Sequence, residues 1–206
     1  MTIHSVATTQ IADKRAAILD AATTVFARRG YFSAQVADVA RSAGVAAGTV
    51  YLYFRSKDEI LTSIFDRTMK EAIDEGRIAI TGLTDPVERL RRIARTHLAR
   101  LGRDRNLAIV FQVELRQTTK FMEQFSATGF RDYLGLIQRT IEDGQARGVF
   151  RKSLKARTVA KVFFGAVDEM ATNWILSRRR YVLVDQADEI VDILVGGLSA
   201  PAKGPR

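Results

Sequence analysis

Apolar residues recur at helical spacing along most of the chain. Ile18, Ala21, Ala22, Val25 and Phe26 form one stripe, which predicts a helix over 12–29 ending at Gly30. Val36, Val39 and Ala40 give a short helix at 36–43 its apolar face. Gly44 stands where that helix must end, because a residue without Cβ tolerates left-handed backbone. Val45 fills the gap before a second short helix at 47–53. Ser56-Lys57-Asp58-Glu59 then fits the Ser-x-x-Glu box that opens a helix, and Ile60, Leu61, Ile64, Phe65 and Met69 carry that helix on to about Ile80.

The second part of the chain repeats this habit without a strand-like alternation anywhere. Pro86 suits the first turn of a helix over 86–101, with Leu90, Ile93, Leu98 and Leu101 on one side, arginines on the other and Gly102 at its end. Residues 105–118 are apolar nearly all round, the mark of a buried helix. Further helices are predicted at 121–146 (Phe125, Phe130, Leu134, Ile137, Ile141), 156–178 (Val159, Val162, Phe163, Val167, Met170, Trp174) and 185–198 (Ile190, Ile193, Leu194, Leu198). Residues 1–10 read as a mobile arm and 199–206 as a frayed tail. The fold class is all-α: a three-helix helix-turn-helix domain over 1–60, then a larger helical domain over 61–206.

Composition narrows the function. The net charge of +9 and pI near 10.2 favour a polyanionic partner. Part of the excess lies in the helix-turn-helix region, at Lys14, Arg15, Arg28, Arg29, Arg41, Arg55 and Lys57; more lies between Arg89 and Arg105. There is no cysteine, and His4 and His97 are too few and too far apart for a histidine metal site, so no metal is expected. Gly-x-Ser-x-Gly, His-Glu-x-x-His and phosphate-binding glycine loops are missing, so no catalytic residue and no enzyme activity are expected. No long apolar run opens the chain or could cross a membrane, so the expected compartment is the cytoplasm.

Three constellations could carry chemistry. In the first, Ala46, Ala47, Gly48 and Thr49 are small enough for this helix end to approach base edges in the major groove, with Leu52 beside them. Thr49, Tyr51 and Tyr53 offer hydroxyls to phosphates, and Lys57 a cation; Phe54 is read as core. The second is the arginine run, in which Arg89, Arg92, Arg103 and Arg105 could form a patch for a phosphorylated ligand or simply a solvated face. The third is a set of polar residues inside apolar helices: Glu114, Arg116, Asp168, Glu169 and Asn173. They read either as the polar end of a ligand cavity or as a structural ion pair.

Residues 12–62 resemble the DNA-binding domain of TetR-family transcriptional regulators. The matching positions are Ile18, Ala21, Ala22, Phe26, Gly30-Tyr31, Val39-Ala40, Ala43-Gly44-Val45, Gly48-Thr49, Tyr51, Tyr53-Phe54, Lys57 and Leu61. Gln35 stands where the family often has Thr, and Ala47 where it often has Lys. Within the family the chain is similar to the FadR type, through Gln35-Val36, AAGTVYLYF at 46–54, NLAIVFQVELRQ at 106–117 and GAVDEMATNW at 165–174. That resemblance implies a repressor that binds a pseudo-palindromic operator as a homodimer, contacts DNA through Gln35 as well as 46–57, and is released by a long-chain fatty acyl-CoA. The dimer would form through 156–178 and 185–198. It implies no cofactor beyond that effector. A long apolar tail would suit Leu107, Phe111, Phe163 and Trp174, and a phosphorylated head the arginines, Arg116 included. The alternative is a TetR-type repressor of drug efflux induced by aromatic or cationic compounds. An architectural DNA-binding protein without ligand, or an enzyme fused to a DNA-binding domain, are the remaining readings.

Overall fold

The computed structural model describes residues 3–117, 123 and 129–199. Among them are nine α-helices and one isolated antiparallel bridge, Phe150 to Ser199. The helices are α1 (Ile3–Arg29), α2 (Val36–Ser42), α3 (Ala47–Tyr53), α4 (Lys57–Ile80), α5 (Pro86–Arg103), α6 (Arg105–Gln112), α7 (Gly129–Ala146), α8 (Ala156–Leu176) and α9 (Ala187–Leu198). Two 3-10 turns, Glu114–Gln117 and Leu183–Gln186, follow α6 and precede α9. The chain divides into two compact units, one of residues 1–68 with 109–125, the other of 69–108 with 126–206.

In the first unit, Ile18, Leu19, Ala22 and Phe26 of α1 meet Val39, Val50, Phe54, Ile60, Leu61 and Ile64, all buried. Gly44 has φ +67°, so α2 ends in the left-handed turn its glycine allows. Val45 donates its N–H to Ala40 O at 3.0 Å, which closes the path into α3. The start of α4 carries a displaced capping box. Glu59 N–H donates to Ser56 Oγ at 3.1 Å, while the Glu59 carboxylate accepts from Arg55 N–H at 2.7 Å, one residue earlier than the pattern expects.

In the second unit, α5 packs against α7, α8, α9 and the Leu183–Gln186 turn. Asp85 caps α5 by accepting from Val87 N–H at 2.9 Å, with Pro86 in the first turn as expected. Asp104 separates α5 from α6; its Oδ1 accepts from the N–H groups of Asn106 (3.0 Å) and Leu107 (3.1 Å). Phe150 packs on α7 where Gly144 leaves room, and Arg151 N–H donates to Leu198 O at 2.9 Å.

Several boundaries differ from the sequence reading. α1 begins at Ile3, because 3–10 hold no proline or glycine to stop a helix. The apolar run 105–118 is an eight-residue helix followed by a 3-10 turn, and α5 continues through Gly102 to Arg103. Phe125, expected in the helix over 121–146, lies outside the described residues; α7 is described from Gly129.

Candidate DNA interface and effector cavity

α3 is held by little more than one side chain. Val50 is fully buried, whereas Ala46, Ala47, Gly48, Tyr51 and Leu52 are exposed, Leu52 to 83%. Thr49 and Tyr53 are half-buried. Nothing lies within 4 Å of where a Cβ on Gly48 would stand, so no packing inside the unit calls for that glycine. The structure thus brings the expected contacts of 46–53 onto one outward face. Phe54 is core, with the Arg15 guanidinium 4.9 Å above its ring.

Gln35 caps α2 from an exposed position. Its N–H donates to the Asp38 carboxylate at 3.1 Å. Asp38 also pairs with Arg29 (3.0 Å) and Arg41 (3.1 Å). The hydrogen bond from Gln35, then the two guanidinium groups, hold the Asp38 carboxyl below the usual carboxylate range.

Lys57 is half-buried at the start of α4. Its ammonium donates to the carbonyls of Tyr31 (2.8 Å), Phe32 (3.2 Å) and Ala34 (2.9 Å), and lies 4.5 Å from the centre of the Tyr31 ring. All three donors are directed at these carbonyls, which makes Lys57 a clamp on the α1–α2 turn. Glu114 holds the same turn from its other side; its Oε2 accepts the Tyr31 N–H at 2.6 Å. The Tyr31 hydroxyl bonds Asp58, and burial followed by that bond pushes the phenol's pKa up. The sequence flagged Glu114 only as a polar residue in an apolar run.

The arginines of α5 are likewise absorbed. Arg89 donates to Leu83 O at 2.7 Å and Asp143 at 3.0 Å, and Arg92 pairs with Glu88 at 3.6 Å. Arg91 meets Asp192 at 2.8 Å, and Arg95 meets Asp188. Arg100 and Arg103 face Glu75. These pairs tie α5 to α4, α7 and α9. Arg105 donates to Ile175 O at 2.6 Å and lies over the Trp174 ring at 5.1 Å. Leu107 is buried, Arg116 is exposed with a partner, Phe111 packs on Phe65 at 5.3 Å, and Trp174 Nε1 donates to Tyr181 O at 3.1 Å.

A cavity of about 670 Å³ opens elsewhere in the second unit, between α4, α7 and α8. Arg77, Arg131, Arg139, Arg157 and Lys161 line it, with Asp132 as the one acid; Phe130, Leu134, Gly135 and Ala160 supply apolar wall. Arg77, Arg139, Arg157 and Lys161 make no ion pair among the described residues. None of the arginines expected to hold a ligand lines it. The signal was present in the sequence: Arg131 and Arg139 lie eight residues apart and Arg157 and Lys161 four, so each pair shares a helix face. A smaller cavity of about 220 Å³ lies between Leu154, Val159, Val162, Phe163, Leu194 and Leu198, with Thr158 as its one residue bearing a polar side chain. Of the expected ligand residues, Phe163 lines this apolar cavity.

A short outward helix on a helix-turn-helix unit, joined to a helical unit with a basic cavity, defines a ligand-responsive DNA-binding regulator. The chain belongs to the TetR family: the model of bacterial regulatory proteins, tetR family, matches 18–64, and that of the YsiA-like protein C-terminal region matches 65–197. The fatty acid metabolism regulator protein of Bacillus subtilis (strain 168) is 35% identical over 88% of this chain and 93% of its own length. The fatty acid degradation regulator FadR from Bacillus halodurans superposes with a TM-score of 0.86 at 35% identity, covering 91% of this chain and 97% of that one. FadR from Bacillus subtilis, solved in complex with stearoyl-CoA, gives 0.84 at 34% identity, covering 88% and 98%. The protein is thus a transcriptional repressor of the TetR family, whose members bind operator DNA as dimers. Among the described residues no helix is long and apolar enough to cross a membrane.

Proposed function

We propose that the repressor releases its operator on binding a long-chain fatty acyl-CoA. The observation that carries this reading is the basic cavity. Five cations against one carboxylate suit a ligand with several phosphates, since guanidinium forks match phosphate oxygens. Phe130, Leu134 and Ala160 give an acyl chain its first apolar wall. A cationic drug would meet the wrong sign of charge there, which disfavours the efflux alternative. The relative solved with stearoyl-CoA supports the same ligand class.

In this reading α3 enters the major groove, with Ala46, Ala47, Gly48, Thr49 and Leu52 at base edges. Tyr51, Tyr53 and Gln35 lie toward the phosphates. The protein acts by binding rather than by catalysis, in the cytoplasm, as a two-fold dimer on a pseudo-palindrome. An effector shifts the equilibrium only through its differential affinity for the two states; a typical coupling of about 1–3 kcal/mol lowers operator affinity roughly 5–150-fold.

Operator-bound protein is titrated with stearoyl-CoA, free CoA and stearate while DNA anisotropy is followed. Stearoyl-CoA releases the DNA, and the two halves of the molecule do so far less. Arg157→Glu with Lys161→Glu weakens the response tenfold or more and leaves operator affinity near normal. Release by a cationic dye but not by stearoyl-CoA defeats the proposal.

A further inference from the structure

We propose that Glu114 is a positioning residue for operator recognition, acting on the α1–α2 turn from 83 residues further along the chain. The proposal rests on the DNA-binding reading of the first unit but not on the identity of the effector.

Glu114 is 5% exposed, and a buried carboxylate is kept only where donors meet it. Its Oε2 accepts from Tyr31 N–H at 2.6 Å and from Gln117 Nε2 at 2.9 Å. The Tyr31 amide needs such an acceptor. It follows Gly30, whose φ of +77° turns the chain away from α1, and Tyr31 itself is 3% exposed. Gly30 N–H closes the last turn of α1 on Phe26 O, and Ala34 N–H takes Gly30 O. The carbonyls of Tyr31, Phe32 and Ala34 go to Lys57. Two distant side chains of opposite charge therefore hold the turn, one taking an N–H and the other three C=O groups. α2 starts at Val36, directly after it, and α3 packs on α2. The turn thus sets where the exposed face of α3 points.

The segment that brings Glu114 has a second attachment. Residues 105–108 of α6 count with the second unit, where Arg105 is fixed to the carbonyl of Ile175 and the ring of Trp174; residues 109–112 count with the first.

Operator and random duplex affinities are measured for wild type, Glu114→Ala and Glu114→Gln, with thermal melting of each. Glu114→Ala loses tenfold or more on the operator and under threefold on random duplex, because orientation matters only to specific contacts. Glu114→Gln keeps an acceptor for the Tyr31 N–H and returns operator affinity to within about threefold of wild type. Wild-type operator affinity in Glu114→Ala overturns the proposal. So does an equal loss on both duplexes with a lowered melting temperature, or a failure of Glu114→Gln to restore binding. Failure of stearoyl-CoA to release wild-type protein would sink the effector reading and leave this one standing, since positioning is read without effector.

Discussion

Lys57 shows what residue-level reading can and cannot reach. Its place at the start of α4 and its charge were plain in the sequence; the three carbonyls that surround it come from a turn more than twenty residues earlier and were not. Lys57→Ala leaves those carbonyls without their cation. At about 1.5–3 kcal/mol for hydrogen bonds to a charged group, it lowers the stability of the first unit. The slope of log affinity against log salt then changes by well under the ~1 that a lost phosphate contact gives, which a salt titration on random duplex measures. Leu52 and Tyr51, by contrast, were legible as outward residues because a seven-residue helix with one buried side chain has few ways to face. The cations of the cavity were harder. Sequence clustering pointed to α5, but clustered arginines found carboxylates, whereas Arg139, Arg157 and Lys161 of α7 and α8 line the basic cavity and make no ion pair among the described residues. His97 was set aside as a lone histidine, yet it matters to stability. Its Nε2 is shut off from solvent and its Nδ1 lies 3.0 Å from the Tyr133 hydroxyl. Burial lowers its pKa from 6.5 to about 4; Asp168 opposes the shift and Arg100 adds to it. The unfolded chain therefore takes up a proton before the folded one does. The stability held by neutral His97 is complete above about pH 6.5 and is lost as pH falls toward 4, by up to about 3 kcal/mol. Urea unfolding of wild type and His97→Gln across pH 4–7 should show the two curves converging as pH falls.

Among the elements, α4 is found at the bounds that its capping box and apolar stripe predict, Lys57–Ile80, and the short helices α2 and α3 lie where Gly44 divides them. Periodicity failed where several neighbours surround a segment. The run after Asp104 is apolar on all sides, and nothing in such a pattern tells a straight helix from an eight-residue helix and a 3-10 turn. Close approach between elements is equally invisible to pattern. Gly144 reads as one more small residue in α7, but a Cβ there would lie 2.2 Å from Phe150 Cδ2. Phe150 is 1% exposed and its neighbour Arg151 is tied to Leu198 at the end of α9, so the ring has no free direction in which to yield. Gly144→Ala is an overpacking change, destabilising by about 1–3 kcal/mol, while Gly165→Ala on α8, where nothing lies within 4 Å, is close to neutral. Urea midpoints of the two variants compare them directly.

At the scale of the molecule, the net charge of +9 was a fair guide to a polyanionic partner but not to its seat, because most cations of α5 are neutralised within the second unit. Symmetry is the larger issue. A two-fold operator needs a two-fold protein, with half-sites about 34 Å or a multiple of one DNA turn apart. The family resemblance pointed to α8 and α9, over 156–178 and 185–198. In the structure Val162, which lines the apolar cavity with Val159, Phe163, Leu194 and Leu198, remains 55% exposed, and Ile193 remains 69% exposed. Apolar surface of this kind marks an association face, and stable partners cover about 800 Å² each. Both helices meeting their own copies across a two-fold axis would bury these residues in isologous fashion, each facing its counterpart. Val162→Asp with Ile193→Asp places four carboxylates in that interface per dimer. Sedimentation at micromolar concentration should show a dimer for wild type and a monomer for the double variant. Both sites are solvent-facing within the chain, so the variant's far-UV circular dichroism stays that of wild type. Operator binding then falls to the level of a single half-site, while the basic cavity between α4, α7 and α8, which contains neither residue, is left unchanged. A double variant that sediments as a dimer would move the interface off α8 and α9.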